Sequence, residues 1–163
     1  MINEPGIYIG IGMVLSLLAT ETLGVTAGGI IVPGYIAMYM TLEEYMMIVV
    51  TFGISIITFL IIKTLSRFIL IYGKRRLVLA LLLGFLLGYL TRSDFLLGYL
   101  TQYEDNSFIN SILRGELVVI GNIIPGLIAN WMDRQGVLRT ICTVLVISSI
   151  TRLIIMTLSL LFI

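Results

Sequence analysis

Two Pro-Gly pairs are the residues of this chain best suited to holding a ligand. They occur at Pro33-Gly34 and Pro125-Gly126, each inside an apolar run. Proline removes a backbone donor and clashes with the preceding turn, and glycine frees the backbone, so each pair predicts a broken helix. A broken helix exposes amides at a half-helix N-terminus, whose partial positive charge suits a carboxylate. The alternative is that each pair only kinks a helix for packing.

The surroundings of the two pairs repeat. VPGYIA at residues 32–37 returns as IPGLIA at residues 124–129, an offset of 92 residues (125 − 33 = 92) that Gly29 and Gly121 share. A break carried twice predicts one domain, residues 1–163, made of two related halves at approximately 6–63 and 77–163.

Two charged residues lie beside or within apolar runs. Glu21 follows the run 6–20, and Arg152 lies well inside the run 137–163. Charges at membrane depth are costly and are usually paired or face a cavity. We hypothesise that Glu21 and Arg152 pair with each other. The alternatives are an interfacial carboxylate for Glu21 and snorkelling for Arg152.

The elements that must position these residues are membrane helices. The chain has 163 residues, of which 59% are hydrophobic, whereas a soluble domain has about 45–50%. Its net charge of +1 gives no reason to expect a nucleic-acid partner. Histidine is absent and Cys142 is the single cysteine, so no His/Cys metal site is expected. Without a phosphate-binding loop, the chain is not expected to bind ATP as a cofactor or to hydrolyse it alone.

Each half is predicted to be a helix, a broken segment and a helix, which makes the fold an all-α membrane protein. If the broken segments cross the membrane, the chain has six short crossings and inverted halves. If they are re-entrant, it has four crossings and parallel halves. The positive-inside rule favours six, because Arg134 and Arg139 then join the basic loop 63–76 on the cytoplasmic side.

The basic residues of that loop have two interpretations. They are a topology signal that contacts anionic lipid, or a docking surface for a cytoplasmic partner or an anionic chain. The residues are Lys63, Arg67, Lys74, Arg75 and Arg76. Elsewhere, Gly6-x-x-x-Gly10 and Gly84-x-x-x-Gly88 fit the small-residue packing motif, which is weak support for a homo-oligomer.

The chain resembles the PgsC/CapC family, the membrane subunit of bacterial poly-γ-glutamate synthesis and capsule assembly. The resemblance covers nearly the whole chain. It rests on ETLGV at 21–25, AGGIIVPGYIA at 27–37, IYGKRR at 71–76, and IIPGLIAN at 123–130 followed by Gln135-Gly136.

The resemblance implies a partner-dependent, non-catalytic role in the bacterial cell membrane. In the family, the ATP-dependent ligase PgsB/CapB is a separate cytoplasmic subunit, and PgsA/CapA works on the outer side. ATP and a divalent metal are therefore expected on the ligase. The basic loop would meet the ligase and the polyanion. The polymer or substrate path would include Pro33, Gly34, Pro125, Gly126, Asn130, Glu21 and Arg152. The alternative from another class is a small independent transporter or channel.

Overall fold

The structure, a computed structural model, describes residues 5–40, 45–68, 73–92 and 120–161. Every regular element within these ranges is an α-helix, which confirms the predicted all-α class. The helices are α1 (Pro5–Leu23), α2 (Val32–Met38), α3 (Tyr45–Phe68), α4 (Lys74–Arg92), α5 (Ile124–Gln135) and α6 (Val137–Leu161). Among them α1, α3 and α6 are long and apolar enough to cross a membrane.

The two helices that flank the basic residues are longer than predicted. α3 continues to Phe68 and α4 begins at Lys74, so residues 69–73 alone separate them, where the sequence predicted a loop over 63–76. Lys and Arg are good helix formers. Lys63 and Arg67 also lie in the last turns of α3, where the helix end carries partial negative charge. The charged residues therefore extend the helices.

The helix break lies before each Pro-Gly pair and not at it. α2 begins at Val32 and α5 at Ile124, each with its proline in the first turn. A proline there costs nothing, since the first-turn N–H groups have no partner within the helix. The unwound residues come earlier and use glycine where φ is positive: Gly24 (62°), Gly28 (67°), Gly29 (123°) and Gly121 (57°).

The segment 24–40 turns back after α1 and runs antiparallel beside it. Four contacts follow its course, each nearer to the N-terminus of α1 than the one before: Gly24 with Thr20, Gly29 with Ser16, Gly34 with Gly12, and Ala37 with Tyr8. The segment therefore ends beside the first turns of α1 and does not return to the end where it began.

The stretch 120–135 follows α4 in the same antiparallel way. Its contacts proceed toward the start of α4: Asn122 with Gly88, Gly126 with Gly84, Gly126 with Ala80, and Asp133 with Arg76. Each short helix is thus held lengthwise against one long neighbour.

Backbone contact at glycine fixes the distance between each short helix and its neighbour. A Cβ atom on Gly34 would lie 2.7 Å from the Cα of Ile9, and one on Gly126 would lie 2.7 Å from the Cα of Leu81. Real Cβ atoms do not approach a backbone atom this closely. Only a hydrogen fits between these backbones, as in the close crossings that small residues permit in membranes.

The last helix of each half packs mainly on the other half. α6 contacts α1 and α2, whereas α3 contacts α4 and α5. The main core lies between these helices and contains Ala27 and Ile120 from the unwound stretches. Its helical members include Val32, Ile36, Phe52, Ile128, Met132 and Val144. The outward faces carry exposed apolar side chains, among them Val14, Leu18, Val49, Leu82, Val146 and Leu153.

The glycine contacts make a stability prediction. Gly12→Ala places a methyl group 2.6 Å from the backbone nitrogen of Gly34, so α1 and α2 must move apart. Such overpacking costs about 1–3 kcal/mol, and the melting temperature of the full chain in detergent should fall by several degrees. The matched control is Gly53→Ala on α3, where a Cβ meets no atom within 4 Å. Equal melting temperatures for the two variants would contradict the packing role.

Candidate functional site

One end of the helix bundle collects basic residues and is called here the basic end. The ion pair between Arg76 and Asp133 joins the start of α4 to the end of α5 there. α3 also ends there, since residues 69–73 alone separate it from α4. The basic end comprises Lys63, Arg67, Lys74, Arg75, Arg76, Arg134 and Arg139.

Most of these cations are exposed. Arg67, Lys74 and Arg75 are exposed and, within the described ranges, none has a carboxylate oxygen within 4.0 Å. Lys63 lies over the ring of Phe59, 5.5 Å from its centroid, and Arg134 lies 5.2 Å from the centroid of Trp131. The surface is therefore positive and suited to an anionic chain or an acidic partner.

Gln135 fastens the first unwound stretch to the basic end. Its Oε1 accepts hydrogen bonds from the backbone N–H and the hydroxyl of Thr26, both at 3.3 Å. Its Nε2 donates to the carbonyl of Thr26 and, over 3.1 Å, to the hydroxyl of Thr140. Outside a helix, Thr26 has no helical partner for its peptide groups, so the amide of Gln135 supplies both a donor and an acceptor.

Two hydroxyl groups support the remaining unwound backbone. Ser16 of α1 donates to the carbonyl of Gly29 over 3.4 Å, and the N–H of Ile120 donates to the hydroxyl of Thr51 over 3.0 Å. Thr51 is fully buried on α3. Each unwound stretch is therefore hydrogen-bonded by a side chain from a long helix, which an apolar surrounding requires.

The residues predicted for the polymer path are mostly packing residues in this structure. Pro33, Gly34, Pro125 and Gly126 are all buried. Their glycines contact α1 and α4, which agrees with the packing alternative for the Pro-Gly pairs. Asn130 is also buried and lies one turn after Gly126 on α5. Their place in a polymer path remains a prediction.

The structure does not bring Glu21 and Arg152 together. Arg152 Nη1 donates to the hydroxyl of Tyr8 over 2.7 Å. Tyr8 lies 13 residues before Glu21 on α1 (21 − 8 = 13), which is about 20 Å along the helix axis. Glu21 is exposed, at the end of α1 that adjoins Thr26 and Gln135. The predicted ion pair therefore does not form, and Glu21 fits the interfacial alternative.

The sequence alone did not identify Tyr8 as the partner of Arg152 or Asp133 as the partner of Arg76. Tyr8 and Asp133 had no signal of their own, because their roles depend on α6 and α4 lying beside them. Gly12 was detectable, since it forms a small-residue motif with Ser16 one turn later. Of the two glycine motifs that the sequence did suggest, Gly84-x-x-x-Gly88 contacts α5 and its preceding turn, whereas a Cβ on Gly6 or Gly10 meets no atom within 4 Å.

Three helices that suit a membrane and apolar outward faces are consistent with a membrane protein. The family model for capsule biosynthesis CapC matches residues 11–141, which contain both Pro-Gly pairs. The chain belongs to this CapC family.

Two curated relatives extend the match to most of the chain. The capsule biosynthesis protein CapC of Bacillus anthracis is 36% identical over 146 residues, covering 89% of each chain. The PGA biosynthesis protein CapC of Bacillus subtilis (strain 168) is 33% identical over 148 residues, covering 89% of this chain and 90% of that protein. No solved structure matches the chain.

The role of Gln135 is testable by substitution. Gln135→Leu keeps a side chain of similar size but leaves the N–H of Thr26 without a partner, while the Thr26 carbonyl keeps only the bond from the Gly28 N–H. An unpaired buried donor costs about 1–3 kcal/mol, so the chain should melt at a lower temperature and the amides of residues 26–29 should exchange hydrogen faster. Thr22→Val is the control, because that hydroxyl bonds only within α1. Unchanged exchange at residues 26–29 in Gln135→Leu would contradict the role.

Proposed function

We propose that this chain is the multi-pass membrane subunit of a poly-γ-glutamate synthesis and export complex. It anchors the ATP-dependent amide ligase at the cytoplasmic face of the cell membrane and assists elongation or translocation of the polymer. The names of its relatives, which refer to capsule and PGA biosynthesis, support this role. The ligase subunit PgsB/CapB supplies ATP and divalent-metal chemistry, and PgsA/CapA acts on the outer side.

The basic end is the observation that carries the proposal. It gathers residues that are far apart in sequence, from Lys63 to Arg139, on one surface. A ligase that extends a polycarboxylate must work beside its negative product. A positive surface at the membrane attracts that product and holds it near the point of entry. In this scheme the chain itself catalyses no covalent step, because the ligase forms the amide bond.

The course of the two short segments supports the six crossings of this proposal. The segment 24–40 passes along α1 from its end to its first turns, and Thr26 lies at the basic end. The stretch 120–135 ends at the basic end, through Asp133 and Gln135. In this proposal each short segment is a crossing that is half unwound and half helical. With four crossings, both short segments would be re-entrant and would return to the side of the membrane on which they begin.

The proposed relation between the halves has contact-level support. Gly34 packs on the backbone of α1 as Gly126 packs on that of α4, and α3 and α6 begin 92 residues apart (137 − 45 = 92). In the segment 24–40 the helix, α2, lies away from the basic end. In the stretch 120–135 the helix, α5, lies toward it. Opposite orientation of the two short helices is what inverted repeats produce.

Topology gives the first test of this proposal. With six crossings and the basic end inside, both termini lie outside the cytoplasm. A periplasmic-type reporter fused at Asn3 or at Ile163 should therefore be active, and a cytoplasmic reporter at either place inactive. A fusion between Leu70 and Gly73 serves as the inside control. Cytoplasmic termini would contradict six crossings.

Polymer synthesis gives the decisive test. Membranes that contain this chain, purified ligase, ATP and glutamate should form polymer, and membranes without the chain should not. Reversing the charge of Lys74 and Arg75 to Glu should lower the rate by about tenfold, since each pair of close opposite charges contributes on the order of 1 kcal/mol. The matched control exchanges Lys74→Arg and Arg75→Lys, which keeps the charge. Polymer formed at the same rate without the chain would refute a role in synthesis.

A small independent transporter or channel is the second candidate. The half-unwound segments favour it, because such segments also form the substrate sites of transporters. Liposomes that contain only this chain distinguish the two functions. Glutamate uptake above that of protein-free liposomes, without ligase or ATP, would favour the transporter.

A further inference from the structure

Arg152 and Tyr8 form a polar contact at the meeting of α1, α2 and α6. Nη1 of Arg152 donates to the Tyr8 hydroxyl over 2.7 Å, and the guanidinium carbon lies 5.5 Å from the ring centroid. Tyr8 is only 6% exposed and packs with Ala37 of α2 and Ile155 of α6. The contact lies about 20 Å along α1 from Glu21, and so in the part of the bundle away from the basic end.

The contact leaves several donors unused. A guanidinium group has five N–H donors, and within the described ranges one of them is accepted, by Tyr8. The Tyr8 hydroxyl accepts that bond, so its own proton is free to be donated, and no described residue accepts it. The described residues also place no carboxylate oxygen within 4.0 Å of Arg152. A cation at membrane depth is normally paired, so the partner that this arrangement lacks is an oxyanion.

Ser148 adds a second unpaired group one turn before Arg152. Its hydroxyl is fully buried and has no hydrogen-bond partner. Residues four apart share a helix face, so Ser148 and Arg152 lie side by side on α6. The other buried hydroxyls of α3 and α6 each donate to the carbonyl four residues earlier: Thr51, Ser55, Thr58, Thr140 and Thr151. A buried polar group without a partner is rare and calls for an explanation such as an absent ligand.

The corresponding positions of the other half lack this chemistry. The residue 92 positions before Arg152 is Leu60 (152 − 92 = 60). Gly12 and Gly84 occupy matching places, 72 positions apart (84 − 12 = 72), and the same step from Tyr8 leads to Ala80 (8 + 72 = 80). Both members of the contact are therefore replaced by apolar residues. Packing repeats in the two halves, but the Arg152 contact occurs once.

We propose that Arg152 and Tyr8 bind one free α-carboxylate of the γ-linked glutamyl chain; this inference rests on the proposed function. The planar guanidinium donates two parallel N–H bonds to a carboxylate, and the Tyr8 hydroxyl donates a third. Because the described residues form this contact in one half only, they provide one such carboxylate site for the polymer, on the side away from the ligase. Polymer that leaves the basic end reaches this carboxylate site next.

Direct binding tests the site on the purified full chain in neutral detergent. The probe is a γ-linked tetraglutamate, and its counterpart without negative charge is the γ-linked tetramer in which every free carboxylate is replaced by an amide. Arg152→Gln should weaken tetraglutamate binding at least tenfold, and Tyr8→Phe, which keeps the ring over the guanidinium, should weaken it severalfold. Thr157→Val, at an exposed residue near the same end of α6 whose hydroxyl bonds only within that helix, is the control and should bind as the unmodified chain does. The amide tetramer should bind far more weakly to all variants.

Three results would overturn the proposal. One is tetraglutamate affinity that is equal in Arg152→Gln and the unmodified chain. If Arg152→Gln does not fold, an unchanged affinity in Tyr8→Phe is decisive instead, since that change removes one oxygen atom. The third is displacement of the tetramer by phosphatidylglycerol at low mole fraction, which would assign the site to a lipid headgroup.

The outcome is separable from that of the proposed function. If the ligase needs this chain but Arg152→Gln and Tyr8→Phe bind the tetramer normally, the site is refuted and the function stands. If polymer forms without the chain while binding still depends on Arg152, the function is refuted and the carboxylate site stands.

Discussion

Contact between two backbones at a glycine is the constraint on which the rest of this structure depends. Gly34 meets the backbone of α1, and Gly126 meets that of α4, with room only for hydrogen atoms between them. Such contact gains dispersion energy along the whole crossing, which is the main attraction between helices in lipid. Since the short helices are held there, the unwound residues before them must also lie inside the bundle. The polar backbone of those residues then needs side-chain partners from neighbouring helices.

The hydrogen bonds of Gln135, Ser16 and Thr51 answer that need. Each reaches an unwound peptide group from a different helix, so the loss of one would expose a buried donor or acceptor to apolar surroundings. Polar residues in this chain thus have two uses. Some compensate for missing helical hydrogen bonds, while Arg152, Tyr8 and Ser148 keep hydrogen-bonding capacity that the described residues do not fill.

The sequence predicted the elements better than their contacts. Apolar run length and the Pro-Gly pairs located the helices, because both act through the local backbone. The break was misplaced, since proline is accepted in the first turn and the positive φ angles fall at Gly28 and Gly29 instead. The pairing of Glu21 with Arg152 was also wrong. Two charges in apolar runs suggest a pair, but contact requires that both lie at the same depth along the bundle. Those depths are known only once α1 and α6 are placed side by side.

The last helix of each half packs mainly on the other half, and this packing affects the order of folding. α2 packs against α6, which is synthesised only after α5, so this contact forms after most of the second half has been made. Until then the unwound stretch at Thr26 also lacks Gln135. Ser16 already bonds to Gly29 within the first half, but the N–H of Thr26 has no partner until Gln135 is made, so completion of the first half depends on synthesis of the second. A chain that stops before α6 would leave α2 without one of the two helices that bury it.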